Sequence, residues 1–487
     1  MRQQLVKNLL FVLVVNVLVK AVWIFMIDRN VQIRVGYASY GAYQALFNLG
    51  LIFQILLDFG LTQYNSREVA TDPKRIRVLF SSMLWTRILL SVLYVAIVLL
   101  IGFAFGYRAA QLLLLAGVLF IQVFSSMLVF LRSNVAALHY FRTDGVLAVI
   151  DRLLMIGVCG VLLLVPRWSA QFRIEWFVWS QILCYAAAVL IALIVLLKLT
   201  PVPVHFSIRP KMIRKVMRES APYALLVFLM SVYMRSDAVL IERLCGAAGK
   251  VQAGIYASAF RLLDVANIFG LMFAGILMPM FARMIAAREM VAPAIRIAVN
   301  IMMPVSFIVA VASLFYGNEL MHLLYHKAGD YESAHVFALL MWSFPPYCLM
   351  YIYSTLLTAN GSIRLLNKIS LFIVVLNLGL HCVLIPAYQA EGAAKAVLVT
   401  EWTVAAIVIV SAHRVFALPH NFKWLALHLG YVASLFVWAY IITAVPFAWL
   451  YQLLVFVTGA GLLLFLFRFW TIPSLFQLIR QKNPGQS

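Results

Sequence analysis

The sequence predicts an all-α integral membrane protein with about fourteen transmembrane helices in two lobes. Three observations carry that expectation. Apolar runs long enough to cross a bilayer, about 20 residues each, recur from one end of the 487 residues to the other. Only 11% of residues are charged and the mean hydropathy is +0.98, where a soluble domain carries about 25% charged residues. The middle of the chain also repeats its beginning: Gly41, Tyr43 and Phe47 recur as Gly254, Tyr256 and Phe260 at one offset of 213 residues.

In chain order the runs fall near 5–27, 41–62, 79–104, 111–138, 145–165, 174–198, 220–242, 254–282, 294–316, 333–358, 365–386, 391–413, 424–446 and 447–467. Arg2 and Lys7 before the apolar residues 9–27 resemble a secretion signal, but the apolar run is too long and has no small-residue cleavage site, so it reads as a retained span. Only the region of Pro446 separates the last two runs, so thirteen spans remain an alternative. The division that follows is a first lobe over 1–198, a basic linker over 199–219, a second lobe over 220–413, and two further spans with a tail over 414–487.

Basic residues set the orientation. An even span count puts both termini on one side. If that side is cytoplasmic, inside segments hold 23 of the 38 Lys and Arg, outside segments hold 9 and spans hold 6, the bias of cytoplasmic loops. The net charge of +21 is thereby explained without nucleic acid. In the linker, Lys211, Arg214, Lys215 and Arg218 lie near one helical face, the pattern of a basic helix on an anionic inner leaflet or of a solvated inter-lobe segment. Pro222 is expected in the first turn of the seventh span, where its missing N–H costs nothing.

Charge inside a bilayer is costly and marks cavities and pathways. At ~1.5 Å per residue, Arg87, Arg132 and Arg152 lie ~12, ~9 and ~10 Å inside spans 3, 4 and 5 from the cytoplasmic end. By the same rise Lys20 and Arg235 lie ~22 Å up spans 1 and 7, and Arg261 ~10 Å down span 8 from outside. The first three could instead snorkel to inner headgroups; the other three are too deep for that. These six cations are the expected substrate-binding residues. Asp264, three residues from Arg261, is placed for a local ion pair. Asp237 is two residues from Arg235 and points elsewhere. Asp58 closes the second run as an interfacial anchor, and Asp151 abuts Arg152. Glu401 sits mid-span with no cation within a turn. Asp237, Asp264 and Glu401 are the candidates for coupling to H⁺ or Na⁺. Asp264, held ionised beside a permanent arginine, is the poorer proton carrier.

Other chemistry finds no residues. There is no Walker A loop, no dinucleotide fingerprint and no HExxH, so no cofactor and no enzymatic step are expected. The five cysteines lie in or beside apolar runs without CxxC pairing, which supports neither disulfides nor zinc. His322 and His326, beside Asp330 and Glu332, have metal-ligand spacing in an outer segment but read as a wet loop. The sequon at Asn360 falls in a cytoplasmic loop and is set aside.

Three stretches, Gly41–Glu68, Arg235–Pro279 and Leu357–Ala396, together resemble the polysaccharide-transport (Wzx-type O-unit flippase) branch of the multidrug/oligosaccharidyl-lipid/polysaccharide flippase superfamily. Where that family usually shows I-P-x-Y-G, this chain has Ile385, Pro386, Ala387, Tyr388 and Gln389. The resemblance implies two six-helix bundles, spans 1–6 and 7–12, related by pseudo-twofold symmetry, plus two appended helices. It implies a cavity lined by spans 1, 2, 7 and 8 that opens alternately to each side of a bacterial cytoplasmic membrane. The implied substrate is a polyprenyl-pyrophosphate-linked oligosaccharide, whose anionic head suits six cations, with the polysaccharide polymerase machinery and membrane lipid as partners. Related lipid II flippases carry a cavity arginine in a Y-A-x-R-L context, which Tyr256, Ala257, Arg261 and Leu262 resemble with two extra residues between. A lipid II flippase and a cation-coupled multidrug exporter are the alternatives. A drug exporter is expected to carry buried carboxylates in excess. A polymerase or ligase would need a large outer loop, and the longest here, near 317–332, is short.

Overall fold

The runs become helices, and the places where they break are set by particular residues. A computed structural model of the chain describes residues 19, 22–200, 210–325, 331–419 and 421–469. Among these residues no strand occurs. The chain forms an all-α membrane protein. Ten described helices are long and apolar enough to cross a bilayer, and they account for eleven of the expected spans because one of them is double. The first expected span lies mostly outside the described residues.

The first half departs from the hydropathy pattern once. Helix α1, Arg29–Ile52, contains a break at Gly36 (φ 77°), and it ends at Ile52 rather than near 62 as expected. Hydropathy continues through Leu57, Phe59 and Leu61, so composition does not reveal the stop. The backbone does. Phe59 and Gly60 both adopt positive φ, and Asp58 then accepts bonds from the Thr62 amide at 3.0 Å and hydroxyl at 2.6 Å, starting the more polar α2, Leu61–Thr71. Four apolar helices follow: α3 Ile76–Ala104, α4 Ala109–Ala137, α5 Phe141–Leu164 and α6 Ile174–Leu199.

Helix α7, Pro210–Leu244, is 35 residues long. The basic stretch that reads as a linker helix is its first two turns, with Arg214 and Arg218 exposed. Pro222 therefore lies inside the helix, not in its first turn as expected, and removes one i→i−4 bond there. Helices α8, Gly249–Ala286, and α9, Ala292–Tyr325, follow. The tenth expected span is two pieces, α10 Tyr331–Met341 and α11 Phe344–Ala359. The break precedes Pro345 and Pro346, which take first-turn positions of α11 and lack the N–H groups that a continuous helix would need there.

Helix α12, Ile363–Phe416, runs 54 residues, too long for one crossing, and reverses at Gln389 (φ 54°, ψ −128°). The backbone doubles back so tightly that a Cβ on Gly392 would sit 2.1 Å from the Leu384 carbonyl oxygen. Its two limbs are the expected spans 11 and 12. Helices α13, Phe422–Thr443, and α14, Trp449–Leu466, are separate, broken around Pro446, so the last two spans are distinct.

Backbone packing divides the chain into two compact units, 1–254 and 255–487. In the first, α7 packs on α1, and Val239 joins a core of Leu46, Leu49, Tyr94, Val98 and Leu115. The boundary of this packing division falls in the first turns of α8. In the second unit α9 is central, with α10, α11, α13 and α14 against it. Aromatic pairs fill the spaces, including Phe315–Phe436 and Tyr316–Phe456 at 6.2 Å.

The 213-residue repeat is structural. Tyr43 and Phe47 pair one turn apart in a tilted arrangement with ring centres 5.7 Å apart, and Tyr256 and Phe260 pair at the same 5.7 Å, stacked. The repeated glycines meet within the first unit: a Cβ on Gly41 would lie 2.0 Å from the Lys250 carbonyl oxygen and 2.5 Å from the Gly254 nitrogen. Only residues without side chains permit backbones that close. The Gln32 amide donates to the Gly254 carbonyl at 3.0 Å beside them.

Candidate functional site

The expected cations divide by what stands next to them. Arg87, in α3, is 2% exposed. A buried guanidinium needs a counter-charge and acceptors for its donors. It finds Asp58 as an ion pair and Thr62 as a second hydrogen-bond partner. It also donates to the Ser126 carbonyl at 3.2 Å and hydroxyl at 3.1 Å, and stacks on Phe130 at 4.8 Å. Asp58, read from sequence as an interfacial anchor, is thus both the cap of α2 and the counter-ion of Arg87.

Arg132 and Arg152 are less enclosed. Arg132 pairs with Asp144 at 2.9 Å, across the short connection from α4 to α5. Arg152 pairs with its neighbour Asp151 at 3.5 Å and lies over the Trp23 ring at 5.3 Å. Lys20 lies outside the described residues. Arg235, on α7, is half-buried and has no ion pair or hydrogen bond among the described residues. Two residues on, Asp237 is 5% exposed.

The C-terminal end of α7 carries a constellation that sequence reasoning missed. The Tyr107 hydroxyl donates to Glu242 at 2.6 Å, and Gln111 approaches the other carboxylate oxygen at 3.5 Å. Arg243 donates to the Phe105 carbonyl at 2.7 Å and lies over the Tyr107 ring at 3.7 Å. Burial first, and the Glu242 charge next, push the Tyr107 hydroxyl well above its ordinary range, so it stays a donor. The connection between α3 and α4 thereby grips the end of α7. With 135 residues between Tyr107 and Glu242, no local spacing announces the pair.

In the second unit, Arg261 and Asp264 on α8 form the expected i,i+3 pair at 3.8 Å. Both are partly exposed, at 23% and 33%, so the pair is within reach of a ligand. Glu401, in the second limb of α12, is completely buried. Gly270 of α8 makes room for the Tyr351 ring of α11, since a Cβ there would lie 2.4 Å from it. The three coupling candidates thus fall on three helices: Asp237 on α7 in the first unit, Asp264 on α8 and Glu401 on α12 in the second. His326 and Asp330 lie outside the described residues. Among the described residues no group of three or more His, Cys, Asp or Glu could hold a metal ion.

Comparison with known proteins agrees with this architecture. The family model described as "Polysaccharide biosynthesis protein" matches residues 5–285. No curated protein matches the sequence. Among solved structures the chain is similar to the lipid II flippase MurJ in an inward closed conformation, with TM-score 0.66 and 13% identity, over 93% of this chain and 98% of that one. It is also similar to a multidrug resistance MATE family transporter of the MOP superfamily in an inward-facing conformation, with TM-score 0.62 and 13% identity, over 80% and 94% of the two chains. A point mutant of the Vibrio cholerae MATE transporter VcmN is similar at TM-score 0.55 and 15% identity, over 85% and 96%. At such identities the likeness shows a shared fold.

Proposed function

Because the chain belongs to the polysaccharide biosynthesis protein family, we propose that it flips a polyprenyl-pyrophosphate-linked oligosaccharide across the bacterial cytoplasmic membrane by alternating access. It is a translocator and not an enzyme. The O-antigen or capsule repeat unit is the substrate class, and the polymerase machinery outside consumes the product. The single observation that carries the reading is the state of the deep cations. Arg235 has no partner among the described residues, and Arg261 stays 23% exposed beside Asp264. Each of these guanidinium groups offers a planar fork of donors suited to a pyrophosphate oxygen pair. Arg87, Arg132 and Arg152 add positive charge within the first unit but have partners of their own, and Lys20 completes the proposed set.

Span order supports the proposed division into lobes at 1–198 and 220–413 with the linker between them and two spans after them. The basic bias supports cytoplasmic termini and a cytoplasmic 199–219 segment, which reporter fusions after Ser487 and near Pro210 test directly. Uphill transport draws on an ion gradient or on product removal. Asp237 and Glu401, both buried, are the proposed H⁺ or Na⁺ sites, with Asp264 held by Arg261.

The decisive experiment follows a fluorescent polyprenyl-pyrophosphate oligosaccharide in proteoliposomes. Arg235→Ala and Arg261→Ala should each slow flipping at least about tenfold, the loss of one charge-assisted contact, with membrane abundance unchanged. Full rates in both variants refute the assignment. Supplying lipid II in the same vesicles separates the O-unit reading from the lipid II reading, which has the same anionic head. An imposed pH or Na⁺ gradient, applied to wild type, Asp237→Asn and Glu401→Gln, identifies the coupling ion.

A further inference from the structure

The second unit holds a crevice unrelated to the deep cations. It lies where the start of α9, the ends of α11 and of the second limb of α12, and the start of α13 meet. Two adjoining cavities, of about 330 and 410 Å³, share Tyr353, His413, Pro419, Asn421 and Trp424 in their walls. The smaller one opens beside Arg296. The larger runs inward along Met303, Phe307, Leu349, Ile409, Leu425 and Leu429. One end is therefore polar and cationic, and the other is an apolar shaft.

The polar end is built. The Trp424 indole donates to Asn300 at 2.8 Å, tying α13 to α9. Asn421 accepts from the Trp424 amide at 3.0 Å, which fixes the side chain and leaves its NH₂ group as a donor. The Tyr353 ring is 4% exposed and faces His413 at 6.1 Å. Arg296 is exposed and has no ion pair among the described residues. Arg283, Arg288, Arg364, Lys368, Arg414 and Lys423 occupy the same end of these helices. On the orientation proposed above, this end meets the cytoplasmic leaflet.

A cationic mouth over an apolar shaft, opening at the level of the headgroups, has the chemistry of a lipid with one negative charge and long chains. We propose that this crevice binds an anionic glycerophospholipid of the inner leaflet. Its phosphodiester sits at Arg296 and Asn421, and one acyl chain lies along Phe307, Leu349 and Leu429. Anionic headgroups draw basic segments of this kind, and the shaft adds burial of the chain. Neither term requires a sugar or a pyrophosphate, so the site is independent of the transported substrate.

Brominated lipids test it, because Trp424 lies in the wall. The full-length protein is placed in phosphatidylcholine nanodiscs containing brominated phosphatidylglycerol or brominated phosphatidylcholine at equal mole fraction. The quenching read is the difference between wild type and Trp424→Phe. Phosphatidylglycerol should quench at about tenfold lower mole fraction than phosphatidylcholine, the effect of one charge-assisted contact. Arg296→Gln should abolish that preference and Arg296→Lys should retain most of it. Equal quenching by the two lipids, or a preference unchanged in Arg296→Gln, overturns the proposal. So does release of the lipid by excess inorganic phosphate, which would make the site one for a small anion. Stronger quenching by a brominated polyprenyl phosphate would assign the crevice to the substrate's lipid and also overturn it.

Discussion

The two units handle buried polar groups differently. In residues 1–254, polar side chains reach across from one helical element to another. Arg87 meets Asp58, Asn65 donates to Asn134 at 2.8 Å, the Gln181 amide donates to the Tyr43 hydroxyl at 3.1 Å, and Tyr107 meets Glu242. In residues 255–487 a tie such as Trp424 to Asn300 at 2.8 Å also bridges helices, and the core is packed by aliphatic, aromatic and alanine side chains. There Asn377 and Thr400 are buried at 1% and 0% exposure, and their side chains make no hydrogen bond among the described residues. Polar ties give a bundle direction and register, because each pair has one good geometry, whereas apolar packing tolerates sliding. The first unit is therefore built to hold one arrangement around its charges. The second keeps unused hydrogen-bonding capacity inside the helical hairpin of α12.

The largest expected effect comes from breaking the tie with the most charge. Asp58→Ala leaves Arg87 buried without its counter-ion and should cost about 3–5 kcal/mol, seen as a large drop in thermal unfolding temperature and in membrane abundance. Replacing both, as Asp58→Leu with Arg87→Met, should recover most of that loss. A single-variant cost under about 1 kcal/mol would put the pair with exposed surface ion pairs and erase the contrast between the units.

A neutral tie should cost less. Tyr107→Phe removes one donor from buried Glu242 and should destabilise by about 1–3 kcal/mol, while Phe124→Tyr, elsewhere on α4, serves as a size control. If Tyr107→Phe unfolds at the wild-type temperature, the grip on α7 contributes no stability. In the second unit the effects should change sign. Gln389 occupies backbone geometry of the kind that opens a type II′ turn, where glycine is the usual residue. It is also where the related flippase pattern has glycine. Gln389→Gly should stabilise by up to about 1 kcal/mol, the relief of strain less the added freedom of the unfolded chain. A destabilised variant would mean that the Gln389 side chain makes a contact worth more than the strain. Smallest of all, Thr400→Val keeps the shape and loses no protein hydrogen bond. Its unfolding temperature should stay within about 1 kcal/mol of wild type or rise; a larger fall would reveal a partner for Thr400 and weaken the comparison.

What was legible in the sequence was what depends on composition or on neighbours a turn apart. Span positions follow from apolar length, and the Arg261–Asp264 pair follows from i,i+3 spacing on α8. The ring pairs Tyr43–Phe47 and Tyr256–Phe260 follow from a repeat that needs no structure to find. What escaped depends on backbone geometry or on distant chain. The end of α1 is written in the positive φ of Phe59 and Gly60, which hydropathy does not sense. Asp58 and Arg87 are 29 residues apart, and Asp58 looked interfacial because the helix was expected to run past it. Asp144 was overlooked as the partner of Arg132, although the short connection between α4 and α5 could have suggested it.

The reversal at Gln389 bears on how the protein enters its membrane. The two limbs of α12 turn back with almost no chain between them, so no loop separates the two spans. The two limbs are expected to insert as one hairpin, with Arg364 and Lys368 at one foot and Arg414 at the other favouring the side on which the proposed orientation places them. Lengthening the turn with a glycine-serine insert would uncouple that step, and an insert too polar to cross would strand both limbs outside the bilayer together.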